Sequence, residues 1–331
     1  MKVLHGMVEV ASQVIYSVKG LRANNVDAQM VIWKEDPRKY DADKSLGIKG
    51  SMKNPLNVFK VVKFAVKATF SYDCFHFHFA KSLIPGNFDL PLLRKMGKKI
   101  FFEFHGSELR GMIRRIPYKH FTPRPEDKKQ KRRLLKIGKY ADGFILHDEE
   151  LRGHLPDADV PVHIVPLRMD IEQFVPAYSN PTKDKPLIVH APSHRGNKGT
   201  EVILREIKKI KCPYEFELVE GRAQQEAFDI YRKADIIVDQ IGAGTYGVLS
   251  IEGMALGKPV MTYISEEMRE SLPKSLPIVN IEPDNLTEKL TTLLEDGKLR
   301  ETLGKQGREY VEKYHDYRKN GEMLKDIYEE G

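Results

Sequence analysis

The residues best suited to chemistry lie in one stretch, Asp239–Pro259, which reads DQIGAGTYGVLSIEGMALGKP. Gly242, Gly244 and Gly247 fall within six residues and let a backbone approach a ligand closely. A helix opening straight after them points N–H groups and partial positive charge at that ligand, so the expected occupant is a phosphate or diphosphate. Glu252 lies about a turn and a half into that helix, where a carboxylate accepts hydrogen bonds from sugar hydroxyls. A second loop, Ala191–Thr200, carries Arg195 and Lys198 ahead of another predicted helix, and two cations at a helix N-terminus suit a diphosphate clamp. A third candidate is His105, at the end of a predicted strand (Lys99–Phe104) and before Gly106, where it can donate to a substrate hydroxyl or phosphate oxygen. His76 and His78 share one face of the strand Asp73–Phe79. They lack carboxylate or cysteine companions and read as packed or hydrogen-bonded side chains rather than a metal pair. Asp157-Ala158-Asp159 has the spacing of a divalent-metal diphosphate signature, but it falls in a proline-flanked turn, so no metal ligand is assigned.

The elements that must position these residues alternate between strand and helix. Val3–His5, a helix over Glu9–Leu21 and Ala28–Trp33 make a β–loop–α–β opening, and the loop after Gly6 has no GxGxxG fingerprint. Residues 35–55 read as a polar loop. Leu56–Phe70 reads as a helix with Lys60, Lys63 and Lys67 on one face. A helix at Phe88–Met96, the strand Lys99–Phe104, a basic helix within Pro123–Tyr140 and the strands Ala141–Leu146 and Val160–Val165 complete a first β/α run. Pro166–Lys185 reads as a linker. A second run follows, with strands at Leu187–His190, Phe216–Val219, Ala234–Val238, Val260–Tyr263 and Ile278–Asn280, then helices from about residue 284. The expected architecture is α/β: two Rossmann-like domains facing across a cleft, over residues 1–166 and 167–315.

The totals narrow the class. At 331 residues with 41% hydrophobic content, the chain supports two packed cores. Its two cysteines, Cys74 and Cys212, have no metal-ligand spacing and predict a reducing compartment. No leader or apolar run long enough for a membrane span is visible, which predicts a cytoplasmic protein. The net charge of +7 is uneven: residues 1–150 hold 29 lysines and arginines against 16 aspartates and glutamates, and the remainder holds 25 against 31. The basic front half suits an anionic surface, such as the inner face of a membrane. The run Lys128–Lys139 lacks interleaved aromatics, which speaks against a nucleic-acid platform.

With these residues in view, the chain resembles the GT-B fold nucleotide-sugar glycosyltransferases, specifically the retaining family 4 group. The resemblance covers nearly the whole length and rests on GTYGVLSIEGMALGKPV at 244–260, the loop with Arg195, Lys198 and Gly199, FHGSE at 104–108, and GREYVEKYH at 307–315. It implies transfer of a sugar from a nucleotide-diphosphate donor, a co-substrate rather than a cofactor, to a glycan or lipid-linked acceptor, with retention and without metal. Glu252 would bind the ribose hydroxyls, Arg195 and Lys198 the diphosphate, and His105 the transferred sugar. Gly6 and the loop after it would line the donor pocket or acceptor side, and a C-terminal helix over 316–331 would pack back on the first domain. The family's usual glutamate, seven residues, glutamate pattern is broken, because Gly244 stands where the first carboxylate belongs. Backbone N–H groups of Ala243, Gly244, Thr245 and Tyr246, leading into Gly247, would then serve the sugar. Two other functions suit the same architecture: a sugar epimerase or phosphorylase, and a catalytically degenerate binding protein.

Overall fold

The computed structural model describes residues 1–35, 42–106, 108–109, 128–157 and 159–331. These divide into two compact units, one holding the chain up to Met169 together with Asp316–Gly331, the other holding Asp170–His315.

The first unit runs β1 (Lys2–Met7), α1 (Gln13–Ala23), β2 (Asp27–Ile32), β3 (Lys44–Ser45), α2 (Pro55–Ser71), β4 (Cys74–His78), α3 (Leu90–Lys95), β5 (Lys99–Glu103), α4 (Lys128–Gly138), β6 (Gly143–Leu146), α5 (Glu149–Arg152) and β7 (Val162–Ile164). Its seven strands are all parallel, in the order β3-β2-β1-β4-β5-β6-β7. The order reverses between β1 and β4, where open α/β sheets place their ligand crevice. Strands buried on both faces carry apolar residues on both. Phe75, Phe77 and Phe102 pack under α2, α3 and α4, while Val3, Cys74 and Phe101 pack under α1. Asn54 caps α2 by accepting from the Leu56 amide, with Pro55 at the first helical position, where its missing N–H costs nothing.

The second unit runs β8 (Leu187–His190), α6 (Arg195–Lys198), α7 (Thr200–Ile207), β9 (Glu215–Leu218), α8 (Gln224–Lys233), β10 (Ile236–Val238), α9 (Val248–Ala255), β11 (Val260–Thr262), α10 (Glu266–Ser271), β12 (Val279–Asn280), α11 (Pro283–Glu295) and α12 (Gly297–Tyr314). Its parallel sheet has the order β12-β11-β10-β8-β9, reversing between β8 and β10. The chain then re-enters the first unit as α13 (Tyr317–Glu330), which packs on α1. The α/β class, the two Rossmann-like units and the returning C-terminal helix are as the sequence leads one to expect.

Three local expectations change. The helix expected from Glu9 begins at Gln13, because Glu9 turns its carboxylate onto the amides of Val10, Val14 and Ile15 and holds 8–12 as a loop. The polar segment 35–55 contributes an edge strand, β3, in its described part. Gly6 lies inside β1, not in a ligand loop: a Cβ there would sit 2.5 Å from the Val31 carbonyl oxygen of β2. Ser107 of the FHGSE segment, Ala158, and the start of the basic helix at 123–127 lie outside the described residues.

α1 and α13 meet backbone to backbone. A Cβ on Gly20 would lie 2.1 Å from the Tyr317 carbonyl oxygen, and one on Gly321 would lie 2.2 Å from the Gly20 carbonyl carbon. Gly321→Leu is therefore expected to destabilise the first unit by about 2 kcal/mol or more through overpacking. Chemical denaturation followed by far-UV circular dichroism checks this, and an unchanged midpoint would contradict the close crossing.

Candidate functional site

In the second unit, the loops after β8 and β10 are neighbours at the carboxyl edge, at the switch point, and are tied together. The Ile241 amide donates to the Lys198 carbonyl at 3.2 Å. A Cβ on Gly242 would fall 2.1 Å from the Asn197 carbonyl oxygen, so this glycine serves loop-on-loop packing. Gly244 has φ +73°, a left-handed conformation that favours glycine. Gly247 precedes α9, and its amide donates to Asp239 Oδ2 at 3.2 Å.

Asp239 organises this corner. It is fully buried and accepts from Lys198 Nζ at 2.6 Å, Ser250 Oγ at 2.7 Å and the Gly247 amide. Burial alone would raise its pKa, but Lys198 and these hydrogen bonds outweigh that and hold it below the usual carboxylate range. Glu252 stands in the opposite condition. Burial, reinforced by Asp239 and opposed by Lys198, pushes it up to about 8, so it is a neutral acid at pH 7.

Lys198 is thus placed against the glycine loop. Arg195 turns elsewhere, donating to Glu220 at 2.8 and 2.7 Å and to Glu201 at 2.9 Å. Thr245 is buried and its carbonyl accepts from Gln240 Nε2 at 2.7 Å. The Tyr246 hydroxyl meets Tyr310 at 3.2 Å and His315 Nε2 at 3.1 Å, which ties the glycine loop to the end of α12. The Gly-Lys-Pro close is structural: Lys258 is buried and donates to the Ala177 carbonyl.

In the first unit, the carboxyl edge carries strained loops beside the switch point. Ala11 and Ser12 follow β1, Phe79 and Ala80 follow β4, and all four have φ between +48° and +65°. Arg133 and Lys136 of the basic helix hold the second loop, donating to the carbonyls of Ala80 and Gly86.

Beneath these loops lies a buried polar cluster that composition and spacing did not disclose. Glu103, at the end of β5, is paired with the fully buried Arg168, and it also faces His76 Nε2 at 3.1 Å and His147 Nδ1 at 3.5 Å. His5, His78, His105 and Tyr328 of α13 complete the group. Burial would raise Glu103, but Arg168 and the His76 hydrogen bond hold it ionised, well below the usual range. Burial pulls all five histidines down, His105 to about 4, with Glu103 opposing, so each is neutral at pH 7. His76 and His78 are hydrogen-bonded, as expected, but a carboxylate companion is present in Glu103. His105 has no free ring nitrogen, since Nε2 meets His78 at 3.1 Å and Nδ1 meets His147 at 2.9 Å. The signal available in the sequence was that four separate strands end in or next to a histidine: His5, His78, His105 and His147.

Comparison with known proteins agrees with this architecture. Residues 208–326, just over a third of the chain, match the family described as glycosyl transferase-like. An uncharacterized glycosyltransferase from Methanocaldococcus jannaschii is 29% identical over 102 residues, a match spanning 30% of this chain and 29% of the relative's length. Among solved structures, sucrose-phosphate synthase from Thermosynechococcus elongatus superposes with a TM-score of 0.70 at 16% identity, over 99% of this chain and 98% of that one. Anabaena HepE, solved with UDP and glucose, gives 0.69 at 11% identity over the full length of both chains. A glycosyltransferase from Rickettsia africae gives 0.68 at 15% identity over 99% of this chain and 97% of that one. The chain has the GT-B fold.

The histidine cluster sets how the first unit responds to acid. On unfolding, neutral buried imidazoles regain their ordinary basicity, so below about pH 6.5 the unfolded chain binds more protons than the folded one. Stability then falls as pH falls, by up to about 1.4 kcal/mol per pH unit for each histidine. Glu103, whose pKa is depressed, adds a further loss at lower pH. Urea midpoints of the first unit's unfolding are expected to drop steeply between about pH 7.5 and about pH 5. A flat profile would mean that the imidazoles are already charged in the folded state.

Proposed function

We propose that the chain is a glycosyltransferase that moves a sugar from a nucleotide-diphosphate donor to a glycan or lipid-linked acceptor, with retention and without a metal ion, in cell-surface polysaccharide or glycoconjugate synthesis. The observation carrying this reading is Lys198 set beside the glycine loop and the N-terminus of α9, at the switch point of the second sheet. As the bond to the sugar breaks, negative charge builds on the diphosphate, and a fixed cation with a helix N-terminus stabilises it. Arg195 joins the clamp by exchanging its two exposed acid partners for the donor, which costs little because surface pairs contribute little. Glu252 takes the ribose hydroxyls, its neutral form both donating and accepting. With Gly244 in place of an acid, the sugar meets backbone amides of residues 243–246. His105 reaches a substrate hydroxyl by giving up one of its two histidine partners. The diphosphate itself takes the acceptor's proton.

Calorimetric titration with a panel of nucleotide-sugars tests the donor site. Lys198→Ala combined with Asp239→Asn, which removes the buried pair without leaving a carboxylate unpartnered, is expected to lower turnover at least a hundred-fold with the fold intact, and wild-type rates would remove the clamp. Glu252→Gln is expected to weaken nucleotide binding about ten-fold while raising stability by an amount that grows as pH climbs from about 4.5 to about 8, the window in which the unfolded carboxyl ionises and the folded one stays protonated, and that is constant above it.

The acceptor side of the reading rests on α2. Its outer face exposes Leu56, Phe59, Val66 and Phe70, with Phe70 74% accessible, interleaved with Lys60, Lys63 and Lys67. Apolar and basic residues together on one helix face suit an anionic bilayer surface. No described helix is long and apolar enough to cross a membrane. Phe59→Asp with Phe70→Asp is expected to abolish sedimentation with vesicles of anionic phospholipid without altering donor binding. Equal sedimentation of the variant would rule out α2 as the contact.

A further inference from the structure

The carboxyl edge of the first sheet carries cations that the fold leaves without counter-ions. Three cations set into the fold elsewhere meet acids: Arg168 meets Glu103, Lys198 meets Asp239 and Lys183 meets Asp235. Lys81, three residues past the end of β4, has neither an ion pair nor a side-chain hydrogen bond among the described residues. Its ammonium stands 5.2 Å from the centre of the Phe79 ring. Arg133 of α4 donates to the Ala80 carbonyl, so its guanidinium lies against the same turn, and it too meets no acid among the described residues. Lys34, two residues past β2, donates to the Gly50 carbonyl at 2.9 Å and has no ion pair among them either. The loop after β4 gathers these groups. The Trp33 indole, next to Lys34, donates to the Leu83 carbonyl at 3.1 Å, so this loop reaches from the end of β4 to the end of β2, across the switch point at β1.

The loop is fixed from within. The buried Asp89 accepts from the Ser82 hydroxyl at 2.6 Å and from the amides of Leu83 and Ile84 at 3.1 and 3.2 Å. The buried Asn87 accepts from the Ser82 amide and hydroxyl, each at 3.1 Å, and donates to the Ala80 carbonyl at 3.2 Å. These bonds keep Phe79 and Ala80 at φ +60° and +52°, a costly region for residues that carry a Cβ. The cations cost stability as well. Burial and the charge of Arg133 pull the Lys81 pKa down, with Glu108 opposing and Lys34 adding to the fall, and burial lowers Arg133 against the same Glu108. Glu108 accepts from the His105 amide at 2.6 Å, so three cations face one fixed acid. Like charges held together on a rigid loop are stabilised when an anion from outside joins them.

We propose that Lys81 and Arg133, with Lys34 beside them, form a phosphate-ester site at the switch point of the first sheet, and that its ligand is a phosphorylated group of the acceptor. The identity of the ligand as acceptor rests on the transferase reading; the site itself does not. A phosphate ester matches this arrangement better than a carboxylate does. Arg133 supplies a planar fork and Lys81 a point charge, and an excess of positive charge suits a group that carries close to two negative charges. The partly buried Phe79 ring beside Lys81 adds an apolar surface next to the phosphate. That surface accepts either the carbon chain of a lipid phosphate or the ring face of a phosphorylated sugar.

Calorimetric titration of the full chain with inorganic phosphate, geranyl phosphate and glucose 6-phosphate tests it, with geraniol and glucose as uncharged controls. At least one phosphate ester is expected to bind one-to-one, about ten-fold or more tighter than its alcohol. Lys81→Gln is expected to weaken that binding about ten-fold or more and to leave nucleotide-sugar binding unchanged. Lys81 has no ion pair to lose, so this variant is expected to keep the wild-type fold, and Lys81→Arg, which keeps the charge, to keep the binding. Tighter binding of geranyl phosphate assigns the site to a lipid carrier and tighter binding of glucose 6-phosphate to a phosphorylated sugar; both orders support it. No binding of any of the three phosphates, or binding unchanged in Lys81→Gln, overturns it. Binding lost instead in the Lys198→Ala, Asp239→Asn variant also overturns it, by placing the phosphate in the second unit. Phosphate esters that bind at Lys81 in a chain that binds no nucleotide-sugar support the site and remove the transferase reading; the converse result removes the site alone.

Discussion

The ion pair between Glu103 and Arg168 makes the rest of the first unit's interior possible. A buried carboxylate without a partner costs several kcal/mol, and here it sits fully buried at the end of a central strand. Arg168 is fully buried and held by its own backbone: the Gln13 side chain accepts from its amide at 2.8 Å and donates to its carbonyl at 3.0 Å. Ser17 accepts from its guanidinium. Segments from β5, α1 and the end of β7 are thereby locked to one charge pair. Only with that charge balanced can five imidazoles be kept neutral and out of solvent.

The second unit solves a similar problem with a different outcome. Asp239, like Glu103, is a buried carboxylate at the carboxyl edge of a central strand, and it too is neutralised by one cation. The difference lies in access. The Arg168 side chain has no exposed surface, whereas the Lys198 side chain retains 14% and lies next to a loop of glycines. One pair is enclosed and lies against a chain of histidines; the other leaves part of its cation exposed beside the glycine loop.

Much of this was legible in the sequence, and the limits are physical. The strands, the helices and the glycine loop follow from local periodicity and punctuation, and the return of the C-terminal helix to the first unit was expected from the family resemblance. Contacts set by distant segments were not legible. Lys198 and Asp239 are 41 residues apart, and nothing in the stretch holding Arg195 shows that Glu220 and Glu201 would occupy it. Gly242 looked like a ligand contact and proved to accommodate the Asn197 carbonyl, while Gly6 accommodates β2. The histidine cluster draws on β1, β4, β5, β6 and α13, and its Tyr328–His5 bond joins residues 323 apart. Separately, each of those histidines is an ordinary residue within a strand or just after one. Only the parallel order β1-β4-β5-β6 brings them side by side.

That Tyr328 belongs to the first unit yet follows the whole second unit in the chain has a consequence for biosynthesis. The first unit's sheet can form as soon as β7 has left the ribosome, but its polar interior then lacks the phenol that joins His76 to His5, and α1 lacks the helix that covers it. That last piece is made only after all of the second unit. The nascent first unit must therefore wait, with apolar side chains of the α1 face such as Val18 and Phe101 still uncovered by Leu324 and Tyr328, while some 150 further residues are synthesised, roughly ten seconds at ordinary rates of translation. The N-terminal unit is thus the first to begin and is completed only after the chain of the second unit has been made.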